Sequence, residues 1–214
     1  NLFGLRMSDI NGGSLRNAIP REAFATVAVP ENGEDKFKQF IKDYEATLKH
    51  ELSGVDPDVS VTIEPTDAPL FAIDETTQHN LTKAVMAVPN GVIRMSDAMP
   101  GLVETSTNLA VVKTAENNTI TAQCLMRSSV DSSKEELAER ISAAFELAGA
   151  TVELAGAYPG WKPNMDSEIL KVMQNTYKEK YGKVPEIKAI HAGLECGILG
   201  SAYPNWDMIS FGPT

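Results

Sequence analysis

The stretch "LVETSTNLAVVKTAENNTITAQCLMRSS", residues 102–129, decides the fold. Polar and apolar side chains alternate along its first part, the mark of a half-exposed strand. Glu116, Asn117 and Asn118 then supply a turn, so the stretch predicts two antiparallel strands joined by a hairpin. Toward the C-terminus, "SSKEELAERISAAFELAGA" (132–150) places Leu137, Ile141, Ala144, Phe145 and Ala148 on one helical stripe. Ser132 or Ser133, followed by Glu135 or Glu136, predicts a capping box at its start. "TVELAGA" (151–157) reads as a further strand.

The same rhythm runs toward the N-terminus. "DETTQHNLTKAVMAV" (74–88) predicts a helix capped by Asp74, and the alternating Val59, Val61 and Ile63 predict a strand over 59–65. "GEDKFKQFIKDYEATLKHEL" (33–52) carries Phe37, Phe40, Ile41, Tyr44 and Leu48 at helical spacing. "SLRNAIPREAFATVAV" (14–29) reads as a strand. Residues 1–157 thus hold two successive strand–helix–strand runs, 1–95 and 96–157, each expected to form an antiparallel sheet with helices on one face: an α+β class. "YPGWKPNMDSE" (158–168) reads as a boundary. Beyond it, helix (167–183, ending at Gly182), strand (186–192), short helix and strand (207–212) have the rhythm of a partial α/β segment, too short to stand as a domain alone.

The chain has 214 residues, 43% of them hydrophobic and 22% charged, which is ordinary globular composition. A formal net charge of −10 repels phosphate backbones and argues against a nucleic-acid partner. No apolar run reaches the roughly 20 residues that span a bilayer, so no membrane role is expected. Cys124 and Cys196 belong to no CxxC and read as free thiols of a reducing compartment, the cytoplasm. The opening Asn1 and the closing "SFGPT" suggest a piece of a longer protein.

Three stretches can carry chemistry. "IHAGLECGIL" (190–199) holds His191, Glu195 and Cys196 between glycines. A zinc site needs three or four ligands, and the other histidines, His50 and His79, lie in helices of the first half. A strand-to-helix turn is the better reading, and the backbone N–H of Gly193 could there meet a carboxylate. In "NGGSLRNAIPREA" (11–23) two glycines lead into a strand holding Arg16, Asn17 and Arg21. Solvated arginines explain most of it, although the amide of Asn17 can donate to a developing oxyanion. In "CLMRSSVDSS" (124–133) Arg127 sits at a strand end, with a guanidinium fork suited to a carboxylate or to an ordinary surface ion pair. Glu104, Thr105 and Asn108 need no more than a half-exposed strand. No GxSxG, HExxH, Walker loop or dinucleotide fingerprint occurs.

Taken together, "GGSLRNAIPREA", "VETSTNLAVV", "CLMRSS" and "IHAGLECGIL…YPNWDMISFGPT" resemble the aminoacyl-histidine dipeptidases. These M20 metallopeptidases are also called Xaa-His or cytosol non-specific dipeptidases. The resemblance runs nearly end to end. It implies a doubled α+β lid over 1–157 and a fragment of the α/β catalytic domain over 158–214. It implies a parent with two zinc ions bridged by water and a glutamate general base, none of whose ligands match positions in this chain. No catalytic or metal-binding residue, no bound zinc and no activity are therefore expected of the chain alone. By the same resemblance Asn17 contacts the dipeptide near the reacting carbonyl, Arg127 clamps its C-terminal carboxylate and Gly193 offers its N–H. His191 and Glu195 are then pocket-shaping, and a homodimer is implied because related lids pair. The alternative is a non-catalytic dimerisation or small-molecule-binding α+β module. A ferredoxin-like RNA binder fails on charge and on the lack of a basic aromatic sheet face.

Overall fold

The structure, a computed structural model, describes residues 3–162, 164–188 and 194–212. In chain order the elements are β1 (Arg6–Gly12), β2 (Ala23–Ala28), α1 (Glu34–Glu51), α2 (Glu75–Ala87), β3 (Gly91–Met95), β4 (Val103–Thr114), β5 (Ile120–Ser128), α3 (Asp131–Leu147), α4 (Glu168–Tyr181) and α5 (Leu194–Ala202). The hairpin is β4 and β5, with Asn118 at φ 59° in the turn, a conformation that asparagine tolerates better than most residues.

A separate sheet for each half is not what forms. One antiparallel five-stranded sheet runs β2-β1-β4-β3, with β5 on the other side of β4. The long β4 makes this feasible. One of its edges meets β5 from Thr105 to Thr114, while the other is shared between β3 at Val103–Thr107 and β1 at Val112 and Lys113. Flanked on both edges, Ala110, Val111 and Val112 are buried. The helices α2 and α3 cover one face, as an α+β class requires. Ala84 and Val88 meet Leu137, Ile141 and Phe145, over Leu109, Ala122, Cys124 and Met126 of the sheet. Leu137, the first residue of the predicted stripe, is completely buried.

Local signals worked where side chains and backbone cooperate. Asp74 caps α2 by accepting from the Thr77 N–H at 2.9 Å, and Ser167 caps α4 by accepting from Leu170 at 3.1 Å. Gly182 closes α4 at φ 73°. Elsewhere the structure corrects the reading. The strand expected over 59–65 does not form; residues 59–65 join no ladder. The strand expected over 14–29 is confined to β2; residues 13–22 form a loop. Residues 151–157 and 207–212 join no ladder, since no neighbouring strand is present among the described residues. Of the strand expected over 186–192, residues 189–192 lie outside the described residues, and 186–188 are not in a ladder. The capping box at Ser132 or Ser133 is also corrected. Val130 occupies the cap without a side-chain bond, and Ser133 donates instead to Glu104 at 3.3 Å.

Candidate functional site

Register defines the two faces of the hairpin. Thr107 lies opposite Met126 and Leu109 opposite Cys124, and this set packs on the helices. Ser106 lies opposite Arg127 and Asn108 opposite Leu125, so by strand alternation these four share the helix-free face. Arg127 is half-buried there and enters no ion pair among the described residues.

The loop carrying Asn17 is drawn to that same face. It leaves β1 at Gly13, whose φ is +71° and whose added Cβ would stand 1.8 Å from the Ala110 carbonyl oxygen. Only glycine lets the chain lie directly on β4 here. Further along, the Asn108 side-chain amide donates to the Ala18 carbonyl at 2.7 Å, one residue past Asn17. Asn17 itself is exposed in a turn at residues 16–17, not on a strand. Between this loop and β1–β2 lies an open cleft of about 530 Å³ lined by Gly13, Ala18, Ile19, Arg21, Phe24 and Lys113.

The turn after Arg127 is held with unusual redundancy. Ser128 Oγ shares a hydrogen bond of 2.8 Å with Thr105 Oγ1 and accepts from the Val130 N–H at 3.0 Å. The Ser129 N–H donates to the Glu104 carbonyl at 3.2 Å. The Glu104 carboxylate is buried, accepting from Ser133 and Thr105 and facing Arg94 Nε at 3.4 Å. A buried carboxylate needs such partners. The alternation reading saw only a half-exposed strand in Glu104, Thr105 and Asn108, because nothing local marks which strand positions become buried or which amide reaches a distant loop.

Asp131 begins α3 and accepts from the Gly160 N–H at 2.8 Å and from Lys134 Nζ at 2.7 Å. The Lys134 ammonium and the Gly160 amide hold the Asp131 carboxyl below the usual aspartate range. A second cleft, of about 370 Å³, lies alongside and is lined by Asp131, Gly160, Trp161, Cys196, Trp206 and Asp207. Glu195 is exposed in the first turn of α5. His191 and Gly193 lie outside the described residues. The structure therefore brings the Asn17 loop and Arg127 to one sheet face, and places Glu195 on a separate helix.

Comparison with known proteins adds two steps. The peptidase dimerisation domain family matches residues 3–56, the β1, β2 and α1 portion. The particular relationship is closer. The chain is 42% identical over 210 residues to the cytosol non-specific dipeptidase of Escherichia coli (strain K12), covering 98% of this chain and 43% of that protein. Its fold matches the crystal structure of the aminoacylhistidine dipeptidase of Vibrio alginolyticus with a TM-score of 0.93 and 46% identity, over 100% of this chain and 43% of that one. The chain is thus similar to these dipeptidases along its whole length, as its four motifs indicated, and it spans less than half the length of either.

Proposed function

We propose that residues 1–157 are the substrate-gripping lid, and 158–214 an adjoining stretch of the catalytic domain, of a cytoplasmic dinuclear zinc dipeptidase acting on Xaa-His and other dipeptides. The observation that carries this reading is that Arg127 and the loop of Asn17 lie on the same helix-free face. A half-buried guanidinium with no ion-pair partner among the described residues is suited to a bidentate carboxylate from outside. Asn17 stands on a loop pinned by Gly13 and Asn108 and can donate its amide to a reacting carbonyl. The roles of Gly193, His191 and Glu195 rest on the sequence resemblance alone.

Among the described residues no three His, Cys, Asp or Glu side chains are grouped to hold a metal. In this reading a zinc pair would be held by the remainder of the parent and would there supply Lewis-acid chemistry. The contribution of this chain is binding and orientation. No helix among the described residues is long and apolar enough to cross a membrane. Residues 3–56, matched by the dimerisation family, are proposed to pair the parent as a homodimer.

The test is hydrolysis of an Xaa-His dipeptide by the full-length protein with and without Arg127→Ala. Losing a charge-assisted carboxylate clamp costs about 1.5–3 kcal/mol, or roughly 10- to 100-fold in kcat/KM. Amidating the dipeptide's C-terminus should cost the unaltered protein a similar factor and the variant almost nothing. A full-length protein that hydrolyses no dipeptide would remove the reading altogether.

A further inference from the structure

Three backbone segments stack at the end of β5 with no side chain between them. A Cβ on Gly160 would stand 2.7 Å from the Ser129 carbonyl oxygen and 3.3 Å from that of Ser128. On the other side, a Cβ on Gly197 of α5 would stand 2.7 Å from the Pro159 oxygen and 3.3 Å from the Gly160 oxygen. Ser129 is two residues beyond Arg127, so this column joins the Arg127 strand end directly to α5. It is also tied by charge. Asp131 accepts the Gly160 N–H at 2.8 Å, while Lys134 Nζ bridges Asp131 at 2.7 Å and the Tyr158 carbonyl at 2.6 Å. Below it, the turn at 128–130 is anchored to β4 by Thr105, Ser128 and Glu104.

We propose that Asp131, Lys134, Gly160 and Gly197 form a clasp that sets the separation of Arg127 from α5, and thereby positions the guanidinium for the substrate carboxylate. The inference rests on the carboxylate-clamp reading of Arg127. None of the four touches substrate; each acts through Arg127. Backbone contact is the shortest spacing two segments can take, and any larger residue at Gly160 or Gly197 drives the carbonyl opposite away by several tenths of an ångström. Displacements on the order of 1 Å can cost about a hundredfold in rate when they misplace a binding group.

The experiment compares an Xaa-His dipeptide with its C-terminal amide in the full-length protein, in Asp131→Ala, and in Lys134→Met, which keeps the aliphatic stem. In the unaltered protein the free acid is favoured through Arg127. With the clasp opened, KM for the acid should rise about tenfold with kcat little changed, while KM for the amide stays put, so the preference for the acid shrinks. A general loss of structure would lower activity on both substrates equally. Asp131→Asn, which retains an acceptor for the Gly160 N–H, should restore most of the preference. If the unaltered protein favours the acid and both opened variants favour it by the same factor, the clasp is overturned and the Arg127 reading stands. If the unaltered protein does not distinguish acid from amide, the Arg127 reading fails and the clasp falls with it.

Discussion

Cys124 shows how one residue's chemistry follows from its place in the sheet. It faces the α2–α3 side beside Leu109, within the packed core, and burial pushes its thiol up to about 11. Desolvation disfavours the thiolate, and the thiolate is the reactive form. At pH 8 roughly one such thiol in a thousand is ionised. Iodoacetamide at that pH should leave Cys124 unmodified in the folded protein and label it after denaturation, which peptide mass mapping reads directly. Rapid labelling of Cys124 in the folded protein would mean that this face of β5 is open to solvent. Its type and position were readable in the sequence, but its burial was not. The same holds for Glu104, whose carboxylate is enclosed only because Arg94, Thr105 and Ser133 converge from three different elements.

At the scale of elements, helices were legible because their signals are local. The cap of α2 is a bond between residues three apart in sequence. Asp74→Ala should therefore lower stability by about 1 kcal/mol, seen as an earlier urea midpoint with an unchanged slope. No shift in midpoint would show that the Thr77 N–H finds another partner. Strands were harder, since a strand exists only where a neighbour accepts its backbone. Val59, Val61 and Ile63 alternate as a strand should, yet no described strand pairs with them and no ladder forms. β1 and β3 carry weaker patterns, but each finds an open stretch of β4. The Asn17 segment followed the same logic. Its turn is dictated by Gly13 lying on Ala110 and by the reach of Asn108, contacts almost a hundred residues distant in sequence.

In the molecule as a whole, the portion matched by the dimerisation family holds no fully buried residue. No residue of α1 is fully buried, although it bears the amphipathic stripe read from the sequence. Phe40 and Tyr44 stack on each other while remaining 43% and 49% exposed, and Phe24 of β2 is 61% exposed at the end of the sheet. An outer strand with an open backbone edge and a helix with exposed aromatic side chains are features suited to a second copy. Full-length protein is expected to sediment as a dimer at micromolar concentration, and Phe24→Glu combined with Tyr44→Glu to sediment as a monomer. A dimer that survives both changes would place the interface elsewhere.

By itself the sequence determined the helices, the Asp74 cap of α2, the Gly182 end of α4, the β4–β5 hairpin and the α+β class, because each depends on residues within a few positions of one another. It also held the four motifs by which the chain resembles the aminoacyl-histidine dipeptidases. Only the tertiary structure decided that the two strand–helix–strand runs share one sheet, that the Asn17 loop lies on the same helix-free face as Arg127, and that Gly160 and Gly197 bring three backbones into contact. These depend on which groups occupy a backbone edge or a gap first. That competition is settled between segments far apart in the chain, and no local pattern records its outcome.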